Sequence, residues 1–142
     1  MMRKAFLFGI VLLCILSCKK QVAVSDGKFP IMTFAQKQYD FGPIDQTAKV
    51  SYDFEFKNTG AADLIISSAS GSCGCTIPEY PKEPIPAGGS GILKVSFNAT
   101  GKSGQQLKTV TILTNTASGK EMLSIKASIT PSAGKTSGIT SS

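Results

Sequence analysis

The chain has 142 residues, a formal net charge of +6 and a hydrophobic fraction of 42%, which suits one packed domain. It contains neither histidine nor tryptophan. The lack of histidine excludes a Ser-His-Asp or Cys-His catalytic centre, an HExxH zinc helix and an imidazole base that works near neutral pH.

The N-terminus has the pattern of a secretory signal peptide. Arg3 and Lys4 form a basic region, and the apolar run 5–16 follows them. This run is shorter than the roughly 20 apolar residues that a transmembrane helix needs. We therefore predict a lipoprotein signal peptide over residues 1–17, cleaved before Cys18.

Cys18 is the predicted lipid attachment site. Residues 15–18 read Ile-Leu-Ser-Cys and resemble a bacterial lipobox, whereas Cys14 follows a leucine and fits less well. In lipobox proteins the cysteine sulfur carries diacylglycerol, and the new amino group carries an acyl chain such as palmitate. Because two or three acyl chains together anchor a protein almost permanently, the expected partner is a lipid bilayer. The alternative is an ordinary signal peptide whose apolar run happens to end in cysteine.

The charge left after cleavage argues against a nucleic-acid partner. Removing residues 1–17 takes two of the 15 basic residues, which leaves 13 against nine acidic ones, a net charge of +4 and no arginine. Bidentate recognition of bases and phosphates favours arginine, and the remaining lysines form no dense run.

The predicted location is a bacterial membrane. We expect the outer membrane, the inner membrane is the alternative, and the domain faces the periplasm or the cell surface.

Alternation of apolar and polar residues dominates the chain beyond the predicted tether, residues 18–29. Between residues 50 and 57, Val, Tyr, Phe and Phe alternate with Ser, Asp, Glu and Lys, which is typical of a half-buried strand. The predicted strands lie at residues 31–34, 38–41, 50–57, 64–66, 93–98, 107–114 and 123–129.

About seven short strands without a helical pattern predict an all-β fold. We expect a single immunoglobulin-like antiparallel β-sandwich over residues 30–130, followed by a disordered tail at 131–142. The sequence lacks the Cys…Trp…Cys spacing of antibody domains, so the likeness concerns the architecture alone.

The sharpest chemical feature is the segment 72–76, Ser-Cys-Gly-Cys-Thr. Cys73 and Cys75 can close a small disulfide ring because the glycine between them permits a tight bend. Three roles stay open: a structural clasp at the tip of a hairpin, a redox pair that exchanges disulfides, and a soft-metal site for Cu(I). A structural zinc site would need four ligands, and the chain has no histidine and no further free cysteine to supply them. We predict no resident metal, no cofactor and no catalytic residue.

A proline-rich segment follows the two cysteines. Residues 78–86 contain four prolines and precede a glycine-rich stretch. Such spacing favours an extended, stiff chain, and PxxP runs can serve as ligands for other proteins. We predict that this segment is a stiff crossover between the two sheets.

Five motifs together resemble a known family. They are Tyr-Asp-Phe-Gly-Pro-Ile at 39–44, Phe-Lys-Asn-Thr-Gly at 56–60, Ser-Cys-Gly-Cys-Thr at 72–76, Ile-Pro-Ala-Gly-Gly at 85–89 and Leu-Lys-Val-Ser-Phe at 93–97. The set is similar to the domain of unknown function 1573 family over about residues 30–130. The resemblance implies a small exported protein, often a lipoprotein, with a sandwich like those of hydin and major sperm protein. That family has no established activity, so no catalytic residue carries over.

These features predict a non-enzymatic cell-envelope lipoprotein whose β-sandwich is a binding or assembly module. Its expected partners are the bilayer, through acylated Cys18, and an envelope protein that the sequence does not identify. The alternative function is thiol–disulfide exchange or Cu(I) handling through Cys73 and Cys75.

Overall fold

The computed structural model describes residues 29–131, which form eight strands. They are β1 (Met32–Phe34), β2 (Gln38–Asp45), β3 (Lys49–Asn58), β4 (Ile66–Gly71), β5 (Thr76–Glu79), β6 (Ser90–Asn98), β7 (Gly104–Thr114) and β8 (Lys120–Thr130). Residues 29–131 contain no helix that is long and apolar enough to cross a bilayer. The predicted signal peptide, the tether with Cys18 and the tail beyond Pro131 lie outside the described residues, so those boundaries stay predictions.

The strands form two four-stranded sheets that pack as a sandwich. The first sheet has the order β1-β3-β6-β5 and the second has the order β2-β8-β7-β4. The predicted all-β, immunoglobulin-like sandwich is therefore confirmed. Two details differ from the sequence prediction: there are eight strands, and β2 pairs with β8 in parallel while every other pairing is antiparallel.

The parallel pairing follows from the path of the chain between β1 and β2. Only residues 35–37 separate the two strands, and they carry the chain from the first sheet to the second. The carbonyl of Lys37 accepts a hydrogen bond from the Ser124 N–H (2.9 Å), which places β2 against β8 from its start. An antiparallel pairing would need a reversing turn, for which three residues that also change sheets leave little room.

The core lies between the inner faces of the two sheets. In β3, Phe54 and Phe56 are buried while Asp53, Glu55 and Lys57 are exposed, as the alternation in the sequence predicts. Alternate residues of three other strands are buried in the same way. They are Leu93, Val95 and Phe97 of β6, Val110 and Ile112 of β7, and Leu123, Ile125, Ala127 and Ile129 of β8.

Asn58, at the end of β3, is a fully buried polar side chain. Its amide nitrogen donates to the carbonyl oxygens of Ala62 (2.7 Å) and Ile85 (2.9 Å). Its oxygen accepts the N–H groups of Gly60 (3.1 Å) and Ile31 (3.3 Å). One side chain thus joins the segment before β1, the turn after β3 and the proline-rich segment, which compensates for its burial.

The proline-rich segment does not cross between the sheets, so that prediction is wrong. It joins β5 to β6, which are neighbours in the first sheet. The sequence prediction also missed β5, a four-residue edge strand that contains Pro78. Proline is tolerated there because an edge strand has one side on which no N–H is needed.

Candidate functional site

The segment with Cys73 and Cys75 connects the two sheets. It leaves β4 in the second sheet and enters β5 in the first, so it does not form the predicted tip of a hairpin. We refer to residues 72–76 as the sheet-crossing corner. Because both ends of this corner belong to edge strands, it lies at one side of the sandwich.

Cys73 and Cys75 are joined by a disulfide with their Cα atoms 5.2 Å apart. Both residues are half-buried, and Cys75 packs against the hydrophobic core. The hydroxyl of the buried Thr76 lies 3.6 Å from the Cys73 sulfur and 3.9 Å from the Cys75 sulfur. The site therefore has one apolar side, formed by the core, and one side that solvent reaches.

Hydrogen bonds tie the sheet-crossing corner to both sheets. On the second sheet, the Ser72 N–H donates to the Thr109 carbonyl (2.8 Å), and the Ser72 hydroxyl accepts the Thr109 N–H (3.2 Å). On the first sheet, the Asn98 N–H donates to the Cys75 carbonyl (2.9 Å). The corner thus remains attached to β6 and β7 through backbone contacts that do not require the disulfide.

Gly71 explains how closely the chain folds back at this corner. A Cβ atom at Gly71 would meet the backbone and side chain of Thr76 well inside van der Waals contact. Only glycine therefore permits the approach of β4 to β5 that places the two cysteines side by side.

The chemistry available at the corner is that of two sulfurs and one hydroxyl. Among residues 29–131, no group of three or more His, Cys, Asp or Glu side chains is arranged to hold a metal ion. If the disulfide were reduced, the two thiols would be the soft ligands available there, with the Thr76 hydroxyl as a neighbouring hydrogen-bond donor.

A groove of about 780 Å³ lies on the outer face of the first sheet, away from the two cysteines. It runs between β1 and Pro81, and its exposed side chains include Glu55, Lys57 and Ile92. Sequence reasoning did not predict this groove, because it arises from the spacing between β1 and the proline-rich segment and not from a motif.

The outer face of the second sheet carries exposed apolar side chains. Leu107 is 62% exposed and Met122 is 51% exposed, and Leu113 and Ile65 are also exposed. In the sequence Leu107 and Leu113 look like core positions, because residues 107–114 are rich in apolar and β-branched types. Strand pairing shows that Thr111 lies opposite Met122 on the solvent side of the sheet, while Val110 lies opposite Leu123 in the core.

Solved structures with the same fold come from unrelated settings. A protein of unknown function from Porphyromonas gingivalis W83 matches with a TM-score of 0.64 and 19% identity, over 77% of this chain and 51% of that one. The ASH/PapD-like domain 7 of human CEP192 matches with a TM-score of 0.56 and 10% identity, over 70% and 85% of the two chains. A secreted serine protease of Vibrio cholerae, VesC, matches at 0.53 and 15% identity, over 69% of this chain but only 23% of the protease.

These likenesses show the fold alone. This chain spans about half the length of the Porphyromonas gingivalis protein.

No curated protein matches the chain. One family model does match, and it covers residues 32–129, nearly the whole described sandwich. The motifs at residues 39–44, 56–60, 72–76, 85–89 and 93–97 all fall inside that span, and the chain belongs to the family described as protein of unknown function (DUF1573).

Proposed function

We propose that the protein is a cell-envelope lipoprotein, held at a bilayer by acylated Cys18, whose β-sandwich is a non-enzymatic binding or assembly module. The proposal combines the lipobox-like residues 15–18 with the fold of residues 29–131. The tether at 18–29 would separate the sandwich from the lipid surface by up to about 35 Å when fully extended. A partner in the envelope could then reach the faces and edges of the sandwich.

The observation that supports the module proposal is that the buried polar side chains are hydrogen-bonded within the fold. In the described part of the chain, every buried side-chain nitrogen or oxygen has a hydrogen-bond partner. Asn58 illustrates this, because each of its two polar atoms bonds to backbone groups that hold loops together. The buried polar side chains therefore serve the fold, and the surfaces left for function are exposed ones.

Membrane fractionation of the wild-type chain and a Cys18→Ser variant, expressed in the native host, tests the anchor. We expect fatty acid incorporated into the wild type, which lies in the membrane fraction, and none in the variant. Cys14→Ser is the matched control, because we expect Cys14 to be removed with the signal peptide. Fatty acid on the Cys18→Ser variant, or none on the wild type, would contradict the proposal.

A second candidate function is thiol–disulfide exchange through Cys73 and Cys75. It is supported by the half-exposed position of both residues and by the Thr76 hydroxyl beside both sulfurs. In one exchange, a partner's thiolate would attack one sulfur and the other would leave as a thiolate. A second partner thiolate would then complete the transfer, so the partner becomes oxidised as this pair is reduced.

Reduction under native conditions distinguishes a redox role of Cys73 and Cys75 from a purely structural disulfide. A redox role requires that a dithiol reduces the pair in the folded protein and that a partner's disulfide reoxidises it. A structural clasp requires denaturant before the sulfurs can be alkylated. The reduced protein can be tested for Cu(I) in the same experiment, with the Cys73→Ser, Cys75→Ser double variant as the control.

A further inference from the structure

Three of the four sheet edges have features that oppose the addition of another strand. β5 contains Pro78, and β2 contains Pro43 next to a shift in its register with β8. β4 also has a register shift near its start, and the Tyr80 hydroxyl donates to the Ser67 carbonyl on its outer side (3.4 Å). Proline, register shifts and covering groups are the usual ways in which proteins block edge pairing.

The fourth edge has no proline and no register shift over residues 49–53 of β3, which we call the open edge. β1 covers only the far end of β3, where Phe34 lies opposite Phe56 and the Ala35 N–H donates to the Glu55 carbonyl (3.2 Å). The chain then leaves for the second sheet. Within the described residues, no strand pairs with the open edge on the side away from β6.

The backbone groups of the open edge point outward at odd-numbered residues. The backbone N–H and C=O groups of even-numbered residues point toward β6, because the Ala48 carbonyl accepts the Ala99 N–H (2.9 Å) and the Asn58 N–H donates to the Gly89 carbonyl (2.8 Å). The backbone carbonyl of Glu55 points the opposite way, toward β1. Since alternate residues of a strand share a direction, the N–H and C=O groups of Lys49, Ser51 and Asp53 face outward.

The side chains of the open edge make it self-complementary. If two copies pair antiparallel with Ser51 opposite Ser51, Lys49 of one copy lies opposite Asp53 of the other, and the converse pair forms as well. All three positions are exposed on the outer face of the first sheet. The outward backbone groups of these positions match the hydrogen-bonded pairs of such a ladder, which would contain about six hydrogen bonds. Opposite charges directly across a ladder stabilise the pairing, and like charges oppose it.

The chain changes sheets at both ends of the open edge. The strand begins at Lys49, directly after residues 46–48, which lead from β2 in the second sheet, and residues 35–37 lead from β1 back to the second sheet beside Glu55. On the inner face, Val50 of one copy would lie opposite Tyr52 of the other, and both residues are half-buried in the single chain. The Tyr52 ring is already held by stacking on Tyr39, with ring centroids 3.7 Å apart.

We propose that the open edge is a homodimer interface, in which β3 of one chain pairs antiparallel with β3 of a second copy about a twofold axis at Ser51. The two first sheets then become one continuous eight-stranded sheet. The inference goes beyond the proposed function and does not require it. Because five residues per copy bury far less than the about 1,600 Å² of a standard interface, the association is weak and reversible.

A zero-length carbodiimide crosslink tests the predicted contact. It joins an ammonium and a carboxylate that already touch. Lys49 and Asp53 of the same strand are separated by roughly 13 Å, so a Lys49–Asp53 crosslink forms only between chains. We expect this crosslink in the full chain, with half of its yield joining ¹⁴N and ¹⁵N copies in an equal mixture. The intrachain pair Lys37–Glu121, whose charged atoms are 2.7 Å apart, is the internal positive control.

Charge reversal tests the symmetry of the pairing. Lys49→Asp and Asp53→Lys each place like charges opposite one another twice. Each alone should weaken dimerisation about tenfold, as measured by sedimentation velocity, because carbodiimide cannot join two carboxylates or two ammonium groups. The double variant restores opposite charges and should recover both dimerisation and the crosslink. A mixture of the two single variants should form the mixed dimer in preference to either homodimer. Lys120→Asp and Asp63→Lys, exposed positions away from the open edge, are the matched controls.

Several results would overturn the proposal. One is a Lys37–Glu121 crosslink without any Lys49–Asp53 crosslink across a dilution series. A second is a double variant that pairs no better than either single variant while its thermal unfolding matches the wild type. A third is crosslinking of Lys49 or Asp53 to a different protein in native membranes without the homodimeric product, which would assign the edge to another partner.

Discussion

Replacing Asn58 with alanine should destabilise the domain more than any exposed asparagine replacement. Asn58 is completely buried, and its side chain makes four hydrogen bonds to backbone groups. Of those groups, the Ile85 carbonyl keeps a second partner, the Leu64 N–H at 2.8 Å. The Ile31 N–H, the Gly60 N–H and the Ala62 carbonyl lose the partner that the side chain supplied.

The magnitude follows from the number of backbone groups that lose a partner. Each unsatisfied buried group costs about 1–3 kcal/mol, with the low end appropriate where water can enter. Because Ile31 is exposed and Gly60 and Ala62 are only half-buried, we take about 1 kcal/mol for each of the three groups and expect a loss of about 3 kcal/mol. For a domain of this size that corresponds to a drop in Tm of roughly 10–20 °C.

Urea unfolding of the chain from residue 18, in a Cys18→Ser background that carries no lipid, measures the effect. Asn98→Ala is the matched control, since Asn98 is exposed and, within residues 29–131, its side chain accepts only the Thr100 N–H (3.0 Å). We expect that control to lose less than about 1 kcal/mol. Asn58→Asp should destabilise at least as much as Asn58→Ala, because its second oxygen would face the Ala62 and Ile85 carbonyls. Equal stability of Asn58→Ala and Asn98→Ala would refute the reasoning.

Two further predictions concern packing and the disulfide. A Cβ atom at Gly91 would lie 2.5 Å from the Phe56 ring, so Gly91→Ala should lower the free energy of unfolding in urea by about 1–3 kcal/mol. A Cβ atom at Gly74 would meet no atom within 4 Å other than those of its chain neighbours, so Gly74→Ala should change the free energy of unfolding little. Equal effects of the two variants would contradict the packing. Replacing Cys73 and Cys75 together with serine should cost only about 1–2 kcal/mol, because a disulfide two residues apart constrains a very short loop. Failure of that double variant to fold would show that the corner depends on the disulfide.

The sequence predicts the sandwich well where a strand has one face in the core. β3 is the clearest case, because its apolar residues from Val50 to Phe56 alternate without interruption, and this face is half-buried at Val50 and Tyr52 and buried at Phe54 and Phe56. Alternation does not say which sheet a strand joins. The parallel pairing of β2 with β8 depends on the sheet change at residues 35–37, a tertiary effect that leaves no local pattern.

Local patterns also concealed the roles of particular residues. The run Asn58-Thr59-Gly60 has turn propensity, and that propensity gives no sign that the asparagine is buried and bonded to three segments. The prolines of residues 78–86 predicted a stiff extended segment, and they gave no sign that Pro78 lies in β5 at a sheet edge. The cysteine pair was recognisable from spacing, but its position between two sheets follows from the pairing of β4 with β7 and of β5 with β6.

The intact mass of the protein extracted from its own membrane under acid quench tests the central claim, that an acylated Cys18 anchors this sandwich. Spectra with and without reduction and thiol alkylation also report the state of Cys73 and Cys75. The account predicts the mass of residues 18–142 plus diacylglycerol and an acyl chain, with the cysteine pair alkylated only after denaturing reduction. An unlipidated mass would contradict the anchor, and alkylation after mild native reduction would favour the redox function over the structural clasp.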